Sequence, residues 1–261
     1  MKKMMLKFSA IILLACFSTA CQNNSGKPSI ANDLMTANLQ GKVQRSTETS
    51  VSFDSTGTVQ KGDASTEEML FDERGFQTRV ISKRPGIPES EMTFTRFASG
   101  ALKEAVFTDS GKLTFRTVNE IDSNGNPTGS KNFDSTGKLY GYTKIISANE
   151  YGMPTSSEHY GLNNKFRSSM ESKYDKARYL GWVVKDSAGK TTMTLTLKLN
   201  EKGEPKEQVI TQYLKDSSKT DRETYQYGKF DVKGNWTERT SYTEKGMVKD
   251  LTRRTLAYYK D

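Results

Sequence analysis

The sequence predicts a mostly β protein: an antiparallel meander of about 14 to 15 strands forming an open, twisted, repeat-like sheet, with one short N-terminal helix. Three observations predict it. A turn signal of Asp or Asn, two variable residues and glycine recurs from Gly57 to Gly246 at intervals of about 14.5 residues. The segments between turns alternate: in "TTMTLTLKLN", Met193, Leu195, Leu197 and Leu199 share one face, and Thr192, Thr194, Thr196 and Lys198 the other. Beyond about Gln44 no helical period survives, so crossover helices are missing and successive strands must be neighbours.

Each part of the repeated unit has a physical reason. An aspartate entering a turn accepts hydrogen bonds from amides two residues on, and glycine takes the left-handed step that closes a bulged hairpin loop. "FDSTG" at Gly57 and Gly137, "FDERG" at Gly75, "KDSAG" at Gly189 and "FDVKG" at Gly234 are its clearest copies. In the last, Asp231 closes the turn, Gly234 takes the left-handed step, and Asn235 and Trp236 begin the next strand. Only 34% of residues are hydrophobic, while 10% are aromatic. That excludes disorder and favours a thin-cored open sheet over a barrel or sandwich, which needs more buried aliphatics. About 15 strands at ~4.8 Å would make a sheet roughly 70 Å long.

Four segments follow in order. Residues 1–20 are a signal peptide: Lys2, Lys3 and Lys7 precede the short apolar run "FSAIILLACFSTA". Residues 21–28 are a polar tether. Residues 29–41 hold the short helix, with Ser29 as N-cap, Ile30, Leu34 and Met35 on one face, and Gly41 after its end. Residues 42–261 form the β-hairpin repeat domain.

Cysteine usage places the chain. "STAC" resembles a bacterial lipobox in which Cys21 is diacylated and becomes the mature N-terminus. Ser18 stands where leucine is usual, and Cys16 in "LLAC" is the competing site. Plain secretion with cleavage after Ala20 is the other reading. After cleavage no cysteine besides Cys21 remains, so no disulfide framework exists. Removing three lysines lowers the net charge from +8 to +5. Acids and bases interleave without a basic block, so nucleic acid is not an expected partner.

The Asp-x-x-Gly units with a leading Tyr or Phe, above all "FDVKGNWTER", resemble the YD or RHS-type repeats of bacterial surface proteins. More closely, they resemble small lipoproteins of Bacteroidota with degenerate copies of that unit, as does "LQGKVQRSTE" at 39–48. The resemblance covers most of the mature chain and implies a cell-envelope, outer-membrane lipoprotein. It does not carry over the toxin encapsulation of large RHS proteins, for which this chain is too short. The neutral-to-basic "CQNNSGK" after the lipidated cysteine favours the periplasmic face over the cell surface.

Little in the sequence points to catalysis. His159 is the only histidine, no "GxSxG" elbow accompanies it, and it reads as a residue beside a turn. "DSNGNP" at 122–127 lacks both the glycine and the glutamate of a calcium loop, and reads as a hairpin. No pair of carboxylates stands out for glycoside chemistry. No enzyme, cofactor or metal is therefore expected. Ser55, Ser135 and Ser187, in "DST", "DST" and "DSA", resemble the O-glycosylation triplets of Bacteroidota exported proteins. Trp182 and Trp236 are candidate ligand contacts, against the reading that such aromatics simply pack across strands.

The expected function is a non-enzymatic envelope lipoprotein that binds or scaffolds, held to the membrane by its lipid and meeting an envelope protein or glycan. A carbohydrate-binding or carbohydrate-active accessory protein is the alternative. An immunity partner of a secreted toxin is a third reading.

Overall fold

A computed structural model describes residues 31–60, 64–123 and 125–260. After a four-residue helix α1 (Asp33–Thr36), the chain runs through sixteen strands. The first eight are β1 (Val43–Ser52), β2 (Ser65–Phe71), β3 (Gln77–Arg84), β4 (Ile87–Arg96), β5 (Leu102–Asp109), β6 (Lys112–Ile121), β7 (Pro127–Asp134) and β8 (Leu139–Ala148). The last eight are β9 (Pro154–Gly161), β10 (Phe166–Asp175), β11 (Arg178–Asp186), β12 (Thr191–Leu199), β13 (Pro205–Tyr213), β14 (Ser218–Phe230), β15 (Trp236–Thr243) and β16 (Val248–Tyr258). Every strand pairs antiparallel with its sequence neighbours, and β1 pairs with β16.

The sheet is thus a closed sixteen-stranded barrel, which overturns the expectation of an open sheet. Closure removes both free edges of the meander. It needs no rich aliphatic core here, because the interior is furnished largely with hydroxyl, amide and paired charged side chains. The strand missing from the expected 14 to 15 follows the β3–β4 tip at Pro85–Gly86, a turn with no Asp-x-x-Gly spelling. The helix is shorter than 29–41 and is capped by Asn32, whose Oδ1 accepts from Met35 N at 3.0 Å. Ser29 lies outside the described residues.

The repeated turns have one geometry. Asp231 Oδ1 accepts from the amides of Lys233 and Asn235, both at 2.9 Å, and Gly234 adopts φ +91°. Asp72, Asp134 and Asp186 hold their turns the same way, as do Asn149 and Asn200.

Alternation along the strands separates two chemistries. The outer face is laced with ion pairs across strands: Arg79–Glu91, Lys131–Glu120 and Lys185–Glu171 at 2.6 Å, and Glu207 between Lys198 and Arg222 at 3.0 and 3.3 Å. A membrane-spanning barrel instead presents an apolar band, and each Lys or Arg at mid-bilayer costs about 2–4 kcal/mol. This outer wall is built for water. On the inner face, small buried residues are matched across the ladder with large ones: Ser46 with Met69, Ala105 with Phe94, Ser157 with Met170, Ser172 with Trp182 and Ser241 with Tyr225. The large side chains cover the small ones across each pair.

Candidate functional site

Hairpins alternate their direction, so the connections fall into two sets at opposite ends of the barrel. One end, the base, is sealed by the N-terminal segment. Leu34 N donates to Gly75 O at 3.2 Å, and Asn32 Nδ2 to Arg74 O at 2.8 Å, in the β2–β3 turn. Asp33 takes the guanidinium of Arg96 at 2.5 Å and the amide of Gln77 at 2.6 Å. Ala31 packs on Met153 and Ala177 from the β8–β9 and β10–β11 turns. Asn38 Nδ2 reaches Lys202 O at 3.1 Å and Glu204 Oε1 at 2.8 Å in the β12–β13 turn. Leu34, Leu39, Val43 and Phe71 form the apolar centre of this seal.

Asn235, just after Gly234, is the clamp on the seal. Its Oδ1 accepts from Gln40 N at 2.7 Å, while its Nδ2 donates to Gln40 O at 2.9 Å and to Tyr258 OH at 2.8 Å. Tyr258 OH donates in turn to Asp231, which tightens the same turn. Asn235 is 1% exposed, so Asn235→Ala leaves Gln40 N and O without their partner. We expect a loss of about 2–3 kcal/mol. Limited proteolysis should then cut within residues 31–42 faster than in the parent, while the far-ultraviolet spectrum of the barrel stays.

Beside this clamp, Trp236 is 1% exposed. Arg254 lies over its ring at 3.5 Å, Arg239 at 4.9 Å, and Tyr227 packs at 5.7 Å. Arg254 gives Nε and a terminal nitrogen to Glu48 Oε1 at 2.8 and 2.6 Å, tying β16 to β1. Trp236 therefore meets other protein groups on all these sides. Trp182 is half-buried on the inner face, between Ser172 and Leu195.

The interior groups are desolvated. Burial pushes Glu67 up, and Glu48 adds to the rise while Arg84 and Arg239 oppose it. Burial raises Tyr227 to about 12, against the opposing charge of Arg239, and lowers His159. His159 Nδ1 lies 3.1 Å from Thr143 Oγ1 and opposite Ser168 in the ladder. One end is sealed, and the inner face carries partly buried polar and ionisable side chains beside its aromatics. Among the described residues no three of His, Cys, Asp and Glu are grouped to hold a metal, and no helix is long and apolar enough to cross a membrane.

The opposite end is the rim. Ser55, Ser135 and Ser187 all sit there, on exposed tips of the β1–β2, β7–β8 and β11–β12 turns. Beside the first two, Thr56 and Thr136 donate their hydroxyls to Asp54 and Asp134 at 2.6 Å and hold those carboxyls below the usual range. Cys21 lies outside the described residues. Missed by sequence reasoning was the apolar dressing of the rim: Ile87, Leu162, Leu214 and Met247 are 59, 45, 48 and 40% exposed on four different tips. The signal was present as hydrophobes inside turn sequences such as "RPGI" and "GLNN". It was invisible because a hydrophobe in a turn does not announce which end of a barrel it crowns.

No family model matches the chain, and no curated protein matches it. A porin-like protein from Bacteroides uniformis superposes with a TM-score of 0.53 at 12% identity, over 84% of this chain and 99% of that one. A porin-like protein from Bacteroides vulgatus gives 0.43 at 9% identity, over 84% and 99%. The TcdB2–TccC3 assembly gives 0.26 at 13% identity, over 80% of this chain and 14% of that one. The first of these likenesses extends to the fold alone, and this chain has the barrel architecture of that protein.

Proposed function

We propose that this protein is a non-enzymatic module of the bacterial cell envelope, anchored to the outer membrane through a lipid on Cys21, which binds a partner at the rim of its barrel. The observation that supports this reading is the division of the surface. The wall is water-facing and ion-paired, the inner face alternates small and large side chains, and the base is covered by the segment 31–42. Exposed apolar groups gather at the rim: of the eleven large exposed hydrophobics among the described residues, seven lie there. This gathering of exposed apolar side chains at one end favours that end as the contact surface.

The anchor follows the chain. Ala31 is seated in the base, so a lipid on Cys21 would attach the barrel from its sealed end. Glycans on Ser55, Ser135 and Ser187 would decorate the rim and not the wall. The periplasmic face is favoured over the cell surface by the neutral-to-basic residues after Cys21.

Intact-mass measurement on protein from its native host, with and without Cys21→Ser, tests the reading. Diacylglycerol mass on the parent, its loss in the variant, and release of the variant from the membrane fraction are the expected results. A variant that stays membrane-bound overturns the anchor, and a mass of polypeptide plus lipid alone removes the glycans.

A further inference from the structure

The rim's apolar tips are not isolated. Each of four carries a base within three residues: Arg84 with Ile87, Leu162 with Lys165, Leu214 with Lys215, and Lys245 with Met247. The bases are exposed. The carboxylates that open neighbouring tips, Asp54, Asp134 and Asp186, each give an oxygen to the amides of their own turn and keep their charge. Counted over residues 53–60, 83–89, 109–112, 134–138, 161–165, 186–190, 214–219 and 243–247, the rim holds nine basic and seven acidic residues. Its formal net charge, nine less seven, is therefore a small positive excess of 2.

Resting on the reading above, we propose that the partner of the rim is an anionic lipid surface, on which the barrel stands mouth-down. Three features favour a bilayer over a protein or glycan. The tips come from hairpins spaced round a closed ring, so many of them can touch a flat surface at once. Each pairs an apolar side chain with a lysine or arginine, the combination that inserts at the acyl boundary while its charge stays among headgroups. Hairpin tips tightened by left-handed glycines at Gly86 and Gly246 present these groups with little entropy left to lose.

The tether allows it. The ten residues from Cys21 to Ala31 reach at most about 35 Å, and a ten-residue strand such as β1 is about 33 Å long before tilt. The bilayer that holds the lipid can therefore also receive the rim.

The experiment uses residues 22–261, which contain all sixteen strands and the sealing segment, so the fold closes without the missing leader. Sedimentation with vesicles of phosphatidylglycerol and phosphatidylcholine is compared with pure phosphatidylcholine. Binding to the anionic vesicles, weakened by salt and by removal of phosphatidylglycerol, is expected. Ile87→Ser, Leu162→Ser and Leu214→Ser combined should weaken it at least about tenfold with an unchanged thermal midpoint. Lys165→Glu with Lys215→Glu should also weaken it, and Val232→Ser, at the base and 99% exposed, should leave it unchanged. No binding to anionic vesicles by folded protein, or binding untouched by the rim variants, overturns the proposal. Capture of an envelope protein or glycan by the rim in the absence of vesicle binding overturns it too, while leaving rim binding itself intact. Failure of the anchor is read separately, by fractionation of Cys21→Ser.

Discussion

Trp236→Ala is expected to destabilise the barrel by about 3–5 kcal/mol. The indole is almost wholly buried, between two guanidinium groups and a tyrosine. Its removal takes away apolar burial and two cation–π contacts, and leaves a cavity beside the Glu48–Arg254 pair. At about 2–4 °C per kcal/mol for a domain of this size, the thermal midpoint should fall by roughly 10 °C. Trp236→Phe, which keeps a ring under Arg254, should recover a large part of the loss. Circular dichroism melts of the three proteins check the order. If Trp236→Ala melts with the parent, the indole does not hold this part of the wall.

Arg96→Ala should cost about 3–5 kcal/mol at neutral pH, because it strands a buried carboxylate. Asp33 is 4% exposed; burial pushes its pKa up to about 6, while Arg96 and the Gln77 amide pull it down. The sign follows from the raised value. Between the ordinary carboxylate range and about pH 6 the folded chain binds a proton more tightly than the unfolded chain. Stability from this group is therefore present at low pH and is lost as pH rises through 6. Without Arg96 the lowering influence is gone and the folded pKa rises further. The penalty of the substitution should thus be large at pH 8 and shrink on acidification toward pH 5. Urea melts of parent and variant at the two values measure it. A penalty independent of pH would show that the loss is packing and not the stranded charge.

Strand existence and pairing were legible because they are local. The alternation of Met193, Leu195 and Leu197 against threonines, and Asp-x-x-Gly at each corner, are written within ten residues. Closure was not local. It rests on β1 meeting β16 across two hundred residues, and no neighbour-scale pattern records that. The thin aliphatic content pointed the wrong way, because serines shielded by Met69, Met170 and Trp182 line the inner face without raising hydrophobicity. Asn235 illustrates the limit for the site. Its place after Gly234 marked the start of a strand, but the segment it clamps lies 195 residues away.

The seam between β1 and β16 governs the order of assembly. Its ladder runs from Val43 opposite Tyr258 to Ser52 opposite Asp250, reinforced by Ser50–Thr252 at 2.8 Å and by Ser52 donating to Asp250 at 2.6 Å. The first strand made therefore waits, with one side unpaired, until the last has been made. Nascent chains will display two adhesive edges until the seam closes, and holding factors that bind extended peptide have their longest window here. The same adjacency of ends makes the chain a natural substrate for circular permutation: joining 261 to 31 and opening at Gly137 would move the wait to an interior hairpin without changing a single pair of strands.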